Sequence, residues 1–441
     1  MSENNASPQR VVIVGSGFAG FTCARKLVRL LAKADRDIEI VLVTPTDYLL
    51  YTPLLPDVAG GLIDARFVTI SLPDTLPRVR LVIGKAESVD LQAKTVTVTH
   101  ETGPDRELSW DRLVLTPGSV TRLFDVPGLT EHARGLKTAA EALYLRDHFL
   151  RQLELADNEE DPEVREARRT VVVVGASYAG TELISQLRAL ADAYAARRGF
   201  DRTQIRFLLL DTAERVMPEV GERLGDKALH VLRDRGIDIR LKMSLQKLSE
   251  REVVLTDGTV VPTYTVAWVT GVTGAPMLSN LGLPLERGRL TVDTSLRVPG
   301  HPEVFAGGDA AAVPDVTSPG KITPPTAQHA TRQGKALARN VAASLGFGRA
   351  KPYKHRDMGL VVDLGPGFAV ANPLGVHLSG LPAKAVTRAY HTYAVSRGVN
   401  RWAIILAYLT NAVMPRPLSS LGLVGSEESG FVGSEGIPRQ S

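Results

Sequence analysis

Hydrophobic positions along this chain fall into two kinds of run, and their alternation predicts an α/β fold. Residues 11–14, Val-Val-Ile-Val, form a continuous apolar stretch, the pattern of a strand covered on both faces. The run breaks at Gly15, a helix-like segment follows over residues 21–31, and a second strand-like run occupies residues 38–43. Strand, helix and strand make one β-α-β unit. The order recurs with the valines of 171–174, a long helical segment after Gly180 and the run 205–210. Two such units in 441 residues predict two or three domains. Residues 157–169, almost all charged and interrupted by Pro162, read as a linker or exposed loop between them.

The turn after the first strand reads Gly15-Ser16-Gly17-Phe18-Ala19-Gly20, a G-x-G-x-x-G pattern. Such glycines let the backbone turn tightly and approach a pyrophosphate, which then sits at the positive end of the helix. A glycine turn also occurs as a plain tight turn, but the strand and helix around this one favour a nucleotide. The acid that normally ends the second strand and binds ribose is absent, which leaves Thr44 or Asp47 for that role. The second turn, Gly175-Ala176-Ser177-Tyr178-Ala179-Gly180, carries a serine at the middle glycine position. Its following strand ends at Asp211, whose carboxylate accepts from both ribose hydroxyls and repels a 2′-phosphate. NADH is therefore expected over NADPH, with Arg215 nearby in sequence working against that preference.

Composition adds exclusions. A net charge of +4 is small for this length and its basic residues are spread over the first 360 positions, so no nucleic-acid partner is expected. The single cysteine, Cys23, excludes an internal disulfide and a cysteine-based zinc site, and fits a reducing, intracellular compartment. No metal centre is expected, and Cys23 reads as a buried structural thiol. The polar residues 1–10 lead straight into the first strand without an apolar signal region. The longest apolar stretch, residues 402–409, is far short of the roughly 20 residues that span a bilayer.

Three more segments complete a resemblance. Leu113-Val-Leu-Thr116-Pro117-Gly118 is similar to the second FAD-side turn of flavoproteins with two dinucleotide-binding domains, with Thr116-Pro117 replacing its usual first residues. Trp268-Val-Thr-Gly271 looks like that family's strand returning from the nicotinamide domain, and Val304-Phe-Ala-Gly307-Gly308-Asp309 like the motif whose aspartate bonds the ribityl chain. The order of these motifs implies a nicotinamide domain inserted into the FAD domain. Members that relay electrons through cysteines, such as disulfide reductases and sulfide:quinone reductases, are disfavoured because Cys23 has no partner cysteine. The subgroup most resembled is the type II NADH dehydrogenases, the single-subunit, non-pumping NADH:quinone oxidoreductases. That match rests on Tyr51-Thr-Pro53-Leu54-Leu55-Pro-Asp-Val58-Ala59-Gly60, on Glu182, and on Pro324-Pro-Thr326-Ala327-Gln328-His-Ala-Thr-Arg332-Gln333-Gly334. In the last segment Arg332 stands where the subgroup has a second glutamine.

The motifs and the resemblance together imply FAD contacts from Gly15, Ser16, Gly17, Phe18, Ala19, Gly20, Thr44, Pro53, Leu54, Ala86, Thr116, Pro117, Gly118, Gly308, Asp309, Thr326, Ala327 and Gln328. They imply NADH contacts from Gly175, Ser177, Tyr178, Ala179, Gly180, Glu182, Asp211 and Gly271. Glu182, Gln328 and Arg332 are the candidate catalytic residues. Glu182, just after Gly180, is read either as an acid favourably facing the helix dipole in the first turn or as a carboxylate near flavin and nicotinamide that orients the ring or relays protons. Gln328 and Arg332, four apart, share a helix face behind Pro324-Pro325, read as an acceptor-side face or as a solvated polar stripe.

Residues 364–426 contain no acid, while Lys384, Arg388, Arg397, Arg401 and Arg416 are basic and Tyr390, Tyr393, Trp402 and Tyr408 are aromatic. That composition suits an anionic membrane surface. A dimer interface or a core helix is the alternative. The reading is then an α/β protein with two Rossmann-like dinucleotide-binding domains, an FAD domain with an inserted NADH domain, plus a C-terminal membrane-associating region. Its parts are residues 1–165 and 296–350 for FAD, 166–295 for NADH, and 351–441 for peripheral attachment at the cytoplasmic face of the cell membrane. NADH reduces the flavin and two electrons pass to a quinone. The rivals are a soluble reductase serving a ferredoxin or oxygen, and a non-catalytic FAD/NADH redox sensor.

Overall fold

The computed structural model describes residues 9–32, 34, 37–100, 102–355 and 358–431; residues 1–8 of the polar leader lie outside them. The chain divides into two compact units, one from Met1–Leu49, Ile70–Val120 and Val272–Arg356, the other from Leu50–Thr69, Thr121–Gly271 and Asp357–Ser441.

The first unit is built on a six-stranded sheet in the order Arg297–Val298, His301–Ala306, Arg112–Leu115, Gln9–Val14, Ile38–Thr44, Arg80–Ile83. All its pairings are parallel except the outermost one to Arg297–Val298. Val11, Val12 and Ile13 are fully buried, as a central parallel strand covered on both faces requires. Gln9–Val14 pairs with Ile38–Thr44 on one side and with Arg112–Leu115 on the other, so the crevice where strand order reverses opens at its carboxyl end. Gly15 sits there. The helix Phe18–Leu30 leaves that point three residues earlier than the sequence pattern suggests, and buries Phe21, Cys23, Ala24 and Leu27. It packs along the helix Ala327–Ser344 at Gly334, where a Cβ would meet the Ala19 carbonyl at 2.4 Å. A glycine is what lets the two backbones come this close.

The second unit holds a five-stranded, all-parallel sheet, ordered Ala133–Arg134, Thr265–Trp268, Thr170–Val174, Arg206–Asp211, Ile237–Leu241. Thr170–Val174 is central and wholly buried, and the helix Tyr178–Arg198 follows it. The charged segment 157–169 is not a loop throughout. Pro162–Arg168 is a helix, started by Asp161, which accepts from the N–H groups of Glu163 and Val164, and by Pro162 in its first turn. A capping aspartate and a proline at the first position make a helix start out of a sequence that looks like a linker.

The compact units do not follow the four-part division by residue number. Residues 351–441 do not stand apart: from Asp357 onward they belong with the second Rossmann fold, as does the insertion Leu50–Thr69. A small antiparallel sheet, Val361–Asp363 with Ala369–Ala371 and Leu378–Ser379, packs on the helix Leu381–Ala394 through Ala369, Ala371 and Ala383. The helix Gly398–Val413 follows.

Candidate functional site

Each glycine turn divides its work in the same way. In the first, Gly15 has φ +93° and a Cβ there would lie 2.2 Å from the Thr116 carbonyl; at Gly20 it would lie 1.9 Å from the Gly15 carbonyl. Thr116 closes the turn by donating to the carbonyls of Val14 (2.8 Å) and Gly15 (3.1 Å), and the Pro117 backbone packs against Gly15. Gly17 differs: a Cβ there meets nothing within 4 Å. In the second turn Gly175 has φ +112° and Gly180 is closed by the Gly175 carbonyl at 1.7 Å. Ser177 adopts φ −80°, ψ −166°, close to the −61°, −174° of Gly17, and any residue takes this extended geometry. Both helices that follow are free of acids in their first turn, and Ser177 makes no side-chain cap bond. By contrast, Thr138 and Glu141 form a full capping box on the helix Ala139–Asp157. The open space at Gly17 and the helix starts left without a side-chain cap at both turns fit a pyrophosphate at each.

Other expected FAD residues of the first unit are placed as follows. Asp309, in the turn after His301–Ala306, accepts from the Ser119 hydroxyl at 2.6 Å, and Gly118 beside it has φ +78° with open space where a Cβ would be. Gly308 is held by Gln333, whose side chain accepts from the Gly308 N–H at 2.7 Å and donates to Thr323 at 3.0 Å. Ala86 is buried in a three-stranded sheet. Thr44 is also buried, and its hydroxyl is shared with Ser16 (2.7 Å) and the Thr46 carbonyl (3.0 Å). It is spent inside the protein, whereas Asp47 is exposed. Thr326 caps the helix Ala327–Ser344 by accepting from the His329 N–H. Arg332 donates to Gln328 at 3.4 Å and contacts His355 Nδ1 at 3.2 Å, so the two candidates do share a helix face.

In the second unit Asp211 is fixed by the N–H groups of Ala176 (2.5 Å) and Ala213 (2.7 Å) at the end of its strand. Gly271 has φ +119° and open space around its missing Cβ. Arg215 pairs with Glu222 at 3.1 Å on the surface. Pro53 and Leu54 lie in this unit.

Glu182 overturns the helix-dipole reading. The first turn of Tyr178–Arg198 contains no acid, and Glu182 lies one residue beyond it with its side chain turned inside. Burial raises its pKa well above the usual carboxylate value, against the pull of the Asp363 N–H, which donates to it at 2.8 Å. Around it is a polar network that sequence reasoning missed. Asp57, from the short helix Leu55–Ala59, accepts from Gln186 (2.8 Å) and from the Tyr408 hydroxyl (2.7 Å). Burial first, and the charge of Asp363 second, push Asp57 up to about 6. The Lys384 ammonium sits on the Asp363 carboxylate. Tyr51 bonds His391 at 3.1 Å, and burial pushes His391 down to about 4, so it is neutral at physiological pH. Asp57, Glu182, Asp363, Arg388 and His391 line a cavity of ≈ 10 Å³, the room of about one water. The signal in the sequence was an acid inside an apolar segment, Leu54-Leu55-Pro56-Asp57-Val58-Ala59.

This network also corrects the C-terminal expectation. Lys384 and Tyr408 are not headgroup ligands, because each is buried on an acid of its own unit, and Arg416 donates to the Gly60 carbonyl. Tyr393 and Trp402 remain exposed.

The raised Asp57 predicts a pH-dependent cost. Its folded pKa lies above that of the unfolded chain, so the native state keeps a proton that the unfolded state gives up. Stability falls as pH rises from about 4 through about 6 and stays lower above it. Asp57→Asn, which keeps an acceptor for Gln186 and a partner for Tyr408, should therefore melt several degrees above the parent protein at pH 8. The difference should shrink as pH falls and approach zero only below about pH 4. Melting curves across pH check this, and a constant difference would place Asp57 as an unperturbed acid.

Paired glycine turns, each opening a parallel Rossmann sheet, define a protein of the class with two dinucleotide-binding domains. A family model described as pyridine nucleotide-disulphide oxidoreductase matches residues 9–334. The type II NADH:quinone oxidoreductase Ndh of Mycobacterium tuberculosis is 31% identical over 399 residues, 87% of this chain and 83% of that one. The demethylphylloquinone reductase NdbB of Synechocystis is 28% identical over 407 residues, 91% and 96% of the two chains. In fold, the NDH2 of Plasmodium falciparum, solved in complex with NADH, matches with a TM-score of 0.85 at 16% identity, covering 93% of this chain and 99% of that one. The chain belongs to the pyridine nucleotide-disulphide oxidoreductase family and, within it, to the type II NADH:quinone oxidoreductases. It departs from the family's description in having one cysteine, Cys23, which is fully buried and held as a thiol by that burial.

Proposed function

We propose that this protein oxidises NADH and passes the electrons through FAD to a membrane quinone, docked on the cytoplasmic face of the membrane. The observation that carries the reading is the duplicated phosphate cradle in a chain whose single cysteine is buried. Two dinucleotides have a place, and no thiol relay stands between them and an acceptor. Bound FAD supplies the two-electron chemistry that links nicotinamide to quinone.

The chain's own residues hold and orient. The turn Gly15 to Gly20 and the start of Phe18–Leu30 bind the FAD pyrophosphate, and Asp309, steadied by Ser119, takes the ribityl hydroxyls. Asp47 is the acid in reach of solvent for the adenosine ribose. Gln328, with Arg332 tied to it, is the acceptor-side polar face of Ala327–Ser344, and Gln333 holds the Gly308 turn from the same helix. In the second unit the turn Gly175 to Gly180 binds the NADH pyrophosphate. Burial holds the Glu182 carboxyl well above the usual carboxylate range and pushes Asp57 up to about 6, so the pair can hold and return a proton through the one-water cavity they share.

Asp211 faces the adenosine ribose, and a 2′-phosphate there meets its carboxylate. NADH should be used at least about tenfold better than NADPH. The ratio of kcat/KM for the two cofactors tests this, and equal use would mean that Arg215 leaves Glu222 and dominates the site.

Membrane docking rests on Gly398–Val413. No helix among the described residues is long and apolar enough to cross a membrane. This one buries Asn400, Ile404 and Tyr408 and presents Val399, Trp402, Leu406, Leu409 and Val413 outward, each at least 60% exposed. The spacing of three and four places them in one stripe. A lipid surface is the occupant that fits, because residues 364–426 carry no acid and Arg397 and Arg401 flank the stripe.

A further inference from the structure

We propose that the second unit carries a binding site for a polyvalent phosphate anion, at the end of its sheet opposite the glycine turn. The inference stands independently of the function proposed above. Thr170, Arg206 and Asp238, at the amino ends of three parallel strands, line a cavity of ≈ 390 Å³. The nucleotide turn follows the carboxyl end of the first of these strands, so the two places are distinct.

Six arginines line the cavity, Arg188, Arg202, Arg206, Arg233, Arg235 and Arg240, against two acids, Asp234 and Asp238, an excess of four positive charges. Local carboxylates do not cover them all. Arg188 and Arg202 share Asp192, at 2.8 and 3.5 Å. Arg206 is on Glu166, Arg240 on Asp238 at 3.1 Å, and Arg235 donates to the carbonyls of Leu364 and Pro366. Arg233 is exposed and has no carboxylate of its own among the described residues.

Arg188 is the strongest sign. It is only 3% exposed, lies 5.5 Å over the Phe207 ring, and donates to the carbonyls of Ile205 and Arg202, yet its Nε has no hydrogen-bond partner. A buried guanidinium that shares one carboxylate and lines a cavity with five other cationic side chains is costly unless an anion joins it. Guanidinium forks match phosphate oxygens, and the volume is that of a small-ligand pocket. The one aromatic lining residue, Phe207, is buried beneath Arg188, so the charged group is recognised rather than a base. Pyrophosphate, tripolyphosphate and the phosphate tail of a nucleotide share that chemistry.

The test uses the full chain loaded with FAD and saturated with NADH, so that both glycine turns are occupied, titrated calorimetrically with tripolyphosphate and with ATP. One site per chain is expected, weakening as salt rises. The double variant Arg202→Gln, Arg233→Gln removes two exposed side chains and should fold normally while binding at least about tenfold more weakly. ATP binding tighter than tripolyphosphate assigns the site to nucleotides, and equal affinity assigns it to the phosphate chain alone. No binding of either at millimolar concentration, or undiminished binding by the double variant, overturns the proposal.

Discussion

Replacing Gly17 with valine should leave the first unit folded and strip it of FAD. The backbone at Gly17 is extended, with φ −61°, a geometry that β-branched residues favour, and a Cβ there meets no protein atom within 4 Å. What the side chain fills is the space in front of the helix Phe18–Leu30, where the pyrophosphate belongs. Losing two charge-assisted hydrogen bonds, at about 1.5–3 kcal/mol each, weakens FAD by roughly a hundredfold or more. Melting must be compared between apoproteins, because bound FAD itself stabilises the fold. Apoproteins melting within a few degrees of each other, with the variant colourless after dialysis, is the expected pair of results. Gly20→Val serves as the contrast. Its Cβ would sit 1.9 Å from the Gly15 carbonyl, so the turn itself must break and the apoprotein should melt lower. A yellow Gly17→Val protein with full FAD content would move the cofactor away from this turn.

The second large effect concerns the outward stripe. Changing Trp402, Leu406, Leu409 and Val413 together to glutamine should release the protein from anionic vesicles by about a thousandfold or more, since each apolar side chain contributes roughly 1.5–3 kcal/mol when fully buried. These residues face outward, so the substitutions leave Tyr408 on Asp57 and Lys384 on Asp363. Truncation after Pro382 would not be so clean, because it removes both of those partners, taking the ammonium from the buried Asp363 and leaving the buried Asp57 with Gln186 alone. Turnover with a soluble short-chain quinone should survive in the glutamine variant, while turnover with a long-tailed quinone in vesicles should fall. Vesicle binding that does not change, together with a loss of dimer in sedimentation, would make the stripe an interface between two copies of this chain.

The parts of this molecule legible in its sequence are the local ones. A buried parallel strand is a run of valines, a phosphate turn is a fixed spacing of glycines, and both are complete within about 20 residues, as Gln9–Val14 and Gly15 to Gly20 illustrate. Glu182 was found by position, but its environment, which removes one of its two readings, was not legible. Its surroundings come from Asp57 and Asp363, and Asp57 in turn is bound to Gln186, 129 residues away, and to Tyr408, 351 residues away. No window along the chain contains those pairs. Lys384 and Tyr408 looked like headgroup ligands for the same reason, since composition counts a basic or aromatic residue without showing which way it faces. Gly398–Val413 shows the limit from the other side. Its apolar composition was plain, but only the folded helix separates the stripe that packs on the protein from the stripe that does not.

Electrons pass from NADH through FAD to quinone in two half-reactions, and each has its own optical signal. Anaerobic stopped-flow absorbance of the FAD-loaded protein follows both halves in one instrument. One equivalent of NADH should bleach the flavin, and one equivalent of a short-chain quinone, mixed in without oxygen, should restore its full colour at a rate no slower than steady turnover. A flavin that NADH bleaches but quinone leaves bleached, while oxygen or a ferredoxin restores it, would contradict the account and make the protein a soluble reductase; a flavin that NADH never bleaches would make it a sensor.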